Sequence, residues 1–420
     1  MRLRKYQEEA IQEALSKNNG IVILPTGTGK SLVIAGICKE IKEPILILQP
    51  SKEILEQNFE KIKLLTNEDI GIYSASKNKR EINRITLATI GSIKDMALFQ
   101  HFKVLLVDEC HYISAKQGRY KELIKSIKFK KIIGFTATPF RTKTNRDGST
   151  SWQFLHQTRP KILKEIIYIY QLKHAFKDKY LSEINYISSK YDLQKLKIKG
   201  NDYDEKSIIN YNKEIDIYQS IKLIIEKQEH NHYLIFATSL EESKFIVNIL
   251  KNYNATTISS KNSNNERNDI LNKFKSGEIN VICNVGVLTT GFDFPALDCI
   301  ILARPTKSLG LYYQMVGRGL RTFLGKDKTN IYDLCSNQLN FGDLSTYEFL
   351  KNENELGLKC STKWLIEPKN LKKEEEDKST ISFGKYKNCR LSKIPTHYLN
   401  WILDNLQLLN LQNIVNHGYR

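Results

Sequence analysis

The sequence predicts an α/β protein: two tandem domains, each built on a parallel β-sheet, with a small C-terminal domain after them. Three observations predict it. Short Ile/Leu/Val-rich runs alternate with amphipathic helical stretches, the pattern of strands buried on both faces by crossover helices. The alternation weakens across residues 143–230 and resumes at residue 233. The length, 420 residues, suits two or three domains of ordinary size.

The elements follow in order. "MRLRKYQEEAIQEAL" (1–15) is amphipathic and charged, with no apolar core and no cleavage site, so a structured helix is expected and not a signal peptide. "IVILP" (21–25), "ILILQ" (45–49), "VLLVDE" (104–109) and "IIGFTAT" (132–138) are expected as buried parallel strands, with helices such as "KSLVIAGICKEIK" (30–42) between them. "YLIFA" (233–237), "NVICNV" (280–285), "CIILAR" (299–304) and "NIYDLC" (330–335) form the second set. The expected domains are 1–160 and 231–345, joined by a basic, Tyr- and Lys-rich connector at 161–230 that holds a loop at "KGNDYDEKS" (199–207). A small C-terminal domain, 346–420, contains the charge run "KKEEEDKST" (372–380).

No window approaches 18 unbroken apolar residues, so no membrane span is expected. The 7 Cys form no CxxC pair, which argues against a zinc ribbon or a disulfide framework and for a reducing, cytoplasmic setting. Net charge is +18 and uneven: residues 101–200 hold 21 Lys and Arg against 8 Asp and Glu. Lys128, Lys130, Lys131, Arg141, Lys143 and Arg146 are the densest part. Two readings fit this block, a solvated face or a patch that meets a phosphate backbone, and charge alone does not choose between them.

Chemistry concentrates at two strand ends. "LPTGTGKS" (24–31) follows the first strand and opens a helix. Gly27 and Gly29 let the backbone turn tightly and aim its N–H groups inward, and the helix N-terminus favours an anion. Thr26, Gly27, Thr28, Gly29, Lys30 and Ser31 are therefore the candidate nucleotide-binding residues, with Lys30 reaching terminal phosphates and Ser31 a candidate Mg²⁺ ligand. "VLLVDE" ends its strand on two acids. Asp108 is the expected second Mg²⁺ ligand, and Glu109 the expected general base that takes a proton from water. Without a phosphate loop, the pair would read equally as two solvated acids at a loop start.

"PTGTGKS" together with "DECH" (108–111) resembles the superfamily 2 helicases and translocases, and the rest of that family's motif set appears in order. Leu24 stands where the general phosphate-loop pattern has Gly, a form that helicase-type motors share. The resemblance implies two RecA-like domains, and ATP with Mg²⁺ as cofactors. "LRKYQ" (3–7) is similar to the adenine-reading motif, with Gln7 on the base edge and Arg4 nearby. "QPSKEILEQ" (49–57) and "ATIGSI" (88–93) resemble motifs Ia and Ib, which implies nucleic-acid contact by Pro50, Ser51, Thr89 and Gly91. "TATPFR" (136–141) resembles motif III, with Thr136 and Thr138 coupling the nucleotide site to the nucleic-acid track and Arg141 as a further contact. "IFATS" (235–239) resembles motif IV. "NVGVLTTGFDFP" (284–295) resembles motif V, which implies nucleic-acid contact by Thr290 and nucleotide contact by Gly291 and Asp293. "YYQMVGRGLR" (312–321) resembles motif VI. Gln314, Arg318 and Arg321 fall at i, i+4 and i+7 and are expected on one helical face, across a cleft from the γ-phosphate, with the arginines as fingers.

Only two residues precede "LRKYQ", and motif VI begins with Gln, which looks like the DNA-directed branch: restriction-enzyme motor subunits, repair translocases and phage helicases. "IIYIYQLKHAFKDKYLSEINYI" (166–187) resembles that branch's inter-domain segment, with Lys179 in place of a turn Gly. Its tyrosines serve domain packing or base stacking. "SFGKYKNCRLSKIPTHYLNWILDNL" (382–406) resembles a small domain appended to some exonucleases and phage proteins, and reads either as a nucleic-acid or protein-partner contact or as a structural cap with Trp401 as core. The expectation is an ATP-dependent DNA helicase or translocase acting on single-stranded, forked or duplex DNA. The alternatives are a translocase that remodels branched DNA, an RNA helicase, and an ATP-gated DNA-binding switch.

Overall fold

The computed structural model describes residues 3–368 apart from 115–116, 145–149, 228, 290, 353–354 and 362, together with isolated positions beyond 368. The readings of 372–380 and 382–406, and those of Arg146 and Thr290, therefore lie outside the described residues.

The first sheet contains β1 (Asn19–Ile23), β2 (Ile45–Gln49), β3 (Ile70–Ser74), β4 (Lys79–Arg80), β5 (Ile85–Thr89), β6 (Val104–Asp108) and β7 (Lys131–Thr136). A hairpin of β8 (Phe140–Thr144) and β9 (Thr150–Phe154) follows, and β10 (Ile166–Ile169) returns to the sheet. The spatial order is β10-β1-β7-β6-β2-β5-β3-β4, and the pairings are parallel except β3 with β4. Parallel pairing gathers the carboxyl ends of β1, β6 and β7 at the sheet's centre, with Ile23 in register with Thr136 and Asp108 with Phe135. The phosphate loop and the acid pair are neighbours for that reason. Helix Lys30–Glu40 buries residues on both sides, including Val33, Ile34, Ile37 and Cys38, because it packs on the sheet and against helices Lys5–Ser16 and Lys52–Thr66. Each such aliphatic side chain contributes about 1.5–3 kcal/mol.

The second sheet uses β11 (Glu183–Ser188), β14 (Tyr233–Phe236), β15 (Ala255–Ser259), β16 (Val281–Val285), β17 (Cys299–Leu302) and β18 (Lys328–Asp333), all parallel, in the order β11-β18-β17-β14-β16-β15. Two short strands, β12 (Ile198–Lys199) and β13 (Asp202–Tyr203), pair apart from it. The segment 161–230 is structured in the described residues and shared between the sheets: β10 pairs with β1, and β11 pairs with β18. Helices Glu205–Glu214 and Ile217–Glu226 then cover the second sheet through Ile208, Ile217 and Ile221. A small antiparallel sheet follows, of strands Tyr347–Asn352, Glu355–Cys360 and Lys363–Ile366.

Both parallel sheets belong to one compact unit that extends to Leu350 and includes Leu358–Ile366. Among the described residues no helix is long and apolar enough to cross a membrane.

Candidate nucleotide site

Gly27 and Gly29 both have φ 85°, a conformation that any Cβ would strain, and they turn the chain from β1 into helix Lys30–Glu40. Thr28 braces the loop by donating its hydroxyl to Pro25 O at 2.7 Å. Leu24, at the position where the general pattern has Gly, is fully buried as a continuation of β1. Tyr6 Oη and Gln7 Nε2 both donate to Thr28 O, at 2.6 and 3.0 Å, so the N-terminal helix is pinned to the loop. The other end of the Gln7 amide accepts from Arg4 N at 2.9 Å. Arg4 lies 3.8 Å above the ring of Tyr180. Lys179, just before it, takes φ 55°, the left-handed turn a Gly would adopt freely.

Asp108 is almost fully buried and accepts from Asn58 Nδ2 at 3.1 Å and from Glu109 N at 2.9 Å. Burial first, and the neighbouring Glu109 second, push its carboxyl up to about 6. Glu109 has φ 48°, an unusual backbone for a non-Gly residue and one often found at functional sites. Its Oε1 is 3.3 Å from Lys30 Nζ and its Oε2 is 3.2 Å from His111 Nδ1. Burial raises this carboxyl, but Lys30, His111 and Arg318 outweigh it and hold the group below the usual carboxylate range. His111 is the hub. Its Nδ1 lies 2.9 Å from Thr136 Oγ1 and 3.4 Å from Thr138 Oγ1, and its Nε2 lies 3.1 Å from Gln314 Nε2 of the second domain.

The motif VI residues reach the cleft by a different route from the single helical face expected. Helix Leu309–Gly317 carries Gln314, but it ends there, with Arg318 as its C-cap. Gly317 and Gly319 flank that cap, and the last bonds tighten to Arg318 N→Met315 O and Gly319 N→Val316 O. Arg321 lies beyond the helix in an isolated bridge with Leu181. Arg318 Nη1 donates to Phe292 O at 2.8 Å, while Arg321 Nε pairs with Asp293 Oδ1 at 2.9 Å. Burial lowers the pKa of both guanidinium groups, that of Arg318 to about 10.

Thr26, Gly27, Gly29, Lys30, Ser31, Asp108, Glu109, Gly291, Asp293, Arg318 and Arg321 line one cleft. Gln314 approaches it through His111 and through its carbonyl, which accepts from Arg318 Nε at 3.3 Å. Arg4 and Gln7 sit behind the loop, held by the contacts above.

The expected nucleic-acid residues are spread differently. Ser51 caps helix Lys52–Thr66 by accepting from Ile54 N at 3.4 Å, and a Cβ on Gly291 would come within 3.2 Å of its hydroxyl. Pro50, Thr89 and Gly91 lie at the carboxyl edges of β2 and β5. Gly91 O accepts from Arg119 at 2.7 Å. Arg141 does not face outward: its Nε donates to His111 O, and desolvation lowers its pKa. Within the basic block the fold separates the residues. Lys128, Lys130 and Lys131 precede or open β7, at the amino edge of the sheet, with Lys131 roughly 17 Å along the strand from Thr136. Lys131 Nζ is already engaged with Ala14 O, Leu15 O and Lys17 O at the end of the first helix.

His111, Gln57, Asn58 and Lys61 are polar residues at the site that had no role in the sequence reading. Asn58 carried a signal. It occupies the buried stripe of its helix with Leu55 and Ile62, where the period calls for an apolar residue.

Two family descriptions match the chain: "Type III restriction enzyme, res subunit" over residues 1–141 and "Helicase conserved C-terminal domain" over residues 215–322. The chain is 27% identical over 367 residues to the "Putative ATP-dependent helicase IRC3" of Saccharomyces cerevisiae, covering 79% of this chain and 51% of that protein. It is 26% identical over 366 residues to the "DNA 3'-5' translocase XPB2" of Sulfurisphaera tokodaii, covering 78% of this chain and 79% of that protein. The chain thus spans about half the length of the yeast relative, 51%. In fold it is similar to a solved structure titled "ATP-dependent Type ISP restriction-modification enzyme LlaBIII bound to DNA", with TM-score 0.60 and 18% identity over 80% of this chain and 28% of that one.

Proposed function

The chain belongs to superfamily 2 of the helicases and translocases, and on that premise we propose that it couples ATP hydrolysis in this cleft to movement along DNA. One observation carries the reading: a single cleft takes Lys30, Ser31, Asp108 and Glu109 from the first domain and Asp293, Arg318 and Arg321 from the second.

Each side chain then has a task. The phosphate loop and Lys30 bind the phosphates. Lys30 gives up its pairing with Glu109 in doing so, which frees a carboxylate to take the proton of an attacking water. Arg318 and Arg321 stabilise charge that develops on the transferred phosphoryl group. His111 links that chemistry to Thr136, Thr138 and Gln314, so hydrolysis and domain closure are coupled. Asp108 and Ser31 offer hard oxygen donors that suit Mg²⁺, and these two residues would hold it. A bound divalent cation would supply neutralisation of phosphate charge.

The DNA assignment follows the relative named as a DNA translocase. The carboxyl-edge residues Pro50, Ser51, Thr89 and Gly91 are its nearest contacts in this reading. Cys38, Cys110, Cys283, Cys299 and Cys335 are buried free thiols, which suits a reducing, cytoplasmic compartment. A partner-binding role for 346–420 completes the proposal.

The test is ATP hydrolysis measured with no nucleic acid, single-stranded DNA, duplex DNA, forked DNA and RNA. Stimulation by one or more DNA forms is expected, with Glu109→Gln binding ATP but not turning it over. Stimulation by RNA alone would overturn the DNA assignment, and no hydrolysis in any arm would overturn the motor.

A further inference from the structure

Three carboxylates face the cleft, and they are served unequally. Glu109 has Lys30 and His111, and Asp293 has Arg321. Asp108 has only the neutral amide of Asn58 and a backbone N–H in hydrogen-bond contact. Lys30 and Lys61 both lie within its electrostatic reach, and Lys61 comes from outside the phosphate loop. Lys61 lies one turn after Asn58 on helix Lys52–Thr66, on the same face. Its Nζ donates to Ser31 Oγ at 2.9 Å. One helical face therefore delivers an amide to Asp108 and an ammonium to Ser31, the two groups assigned above to a divalent cation.

Burial lowers the Lys61 pKa, Asp293 raises it, Arg321 lowers it and Asp108 raises it, so two acids and one guanidinium lie within its electrostatic reach. The bland alternative is a lysine that only tethers two helices. Such a tether has no need of a partly buried ammonium within electrostatic reach of two carboxylates, and a neutral donor would serve as well.

We infer that the Lys61 ammonium is a resident cation that holds the metal's place at Ser31 when no metal is bound, and that metal entry and Lys61 at Ser31 exclude one another. This rests on the nucleotide-site reading above. Two consequences follow. Nucleotide without metal binds better than an unscreened site would allow, because Lys61 supplies positive charge. Metal binds less tightly than it otherwise would, because it displaces a charge already there. The displacement moves a side chain of the helix whose first residues lie against Gly291, so metal arrival is felt at the domain contact.

The experiment is titration of the full chain with N-methylanthraniloyl-ADP, once in excess EDTA and once in saturating MgCl₂. The readout is the ratio of the metal-free to the metal-bound dissociation constant. Lys61→Met is expected to raise that ratio roughly tenfold or more, since a unit charge a few ångströms away is removed from a low-dielectric cleft. Lys61→Arg, which keeps the charge, is expected to stay nearer the parent, and Lys63→Met on the exposed face should not change it. Lys61→Gln serves as a second neutral variant should Lys61→Met fold poorly. A ratio within about twofold of the parent in the neutral variants overturns the inference while leaving the nucleotide site intact. Failure of the parent to bind the probe with Mg²⁺ overturns the site itself, and the inference with it.

Discussion

Replacing Gln314 by Met removes one hydrogen-bond donor from the domain interface at nearly constant side-chain size. Gln314 Nε2 lies 3.1 Å from His111 Nε2. With the amide donating, that ring nitrogen accepts, and the network assigns the ring proton to Nδ1, which faces Glu109 Oε2 at 3.2 Å. The orientation of the ring is held from both sides. The side chain is only 11% exposed, so the Nε2 left by Gln314→Met has little water to turn to. An unpaired buried acceptor costs about 1–3 kcal/mol. The contact runs from one domain to the other, so the cost is expected on turnover, which needs both, and not on the first binding of nucleotide to the loop. That corresponds to a loss of roughly 5- to 150-fold in DNA-stimulated ATP hydrolysis. The assay is a double-mutant cycle with Gln314→Met, His111→Phe and the pair, read as turnover, beside a nucleotide-binding titration on each. Coupling of about 1–2 kcal/mol is expected. Effects that add to within about 0.5 kcal/mol would refute the bridge.

Arg321→Ala should lower turnover by at least about a hundredfold with nucleotide affinity little changed, because in the proposed reaction it is a finger from the second domain that acts on developing charge; hydrolysis at the parent rate would remove it from the reaction. Neutralising Lys128 and Lys130 should leave the salt dependence of DNA binding unchanged, since both lie at the amino edge of the sheet; a flatter slope would return them to the track. Glu68→Gln tests a peripheral pair. Hydrogen bonding to Arg84 holds the Glu68 carboxyl below its usual range, so the pair stabilises above the unfolded carboxylate pKa and fades as pH falls through the folded value. The side chain is 35% exposed, so urea unfolding at pH 7 should lose only about 0.5–1 kcal/mol, with the difference shrinking below about pH 4; a loss that persists at low pH would mean packing, not charge.

The sequence by itself determined the fold class. A run such as Val104–Asp108 is apolar throughout because its strand is covered on both faces, and that composition is visible without knowing the neighbours. It also determined the chemistry on offer at two strand ends, since a parallel sheet must gather those ends on one edge. Other features were decided only in three dimensions. Ile166–Ile169 reads as part of a connector until β1 is there to pair with it. The helix of motif VI stops at Gly317, where bonds from Arg318 to Phe292 O and from Ser182 N to Leu320 O take over from helical period. Lys131 and Lys61 are equally basic in the sequence. The fold gives one to three carbonyls at the end of a helix more than a hundred residues away, and the other to a hydroxyl in the nucleotide cleft. Local pattern sets what a segment can become; which charge meets which partner depends on distances that exist only after strands far apart in the chain have paired.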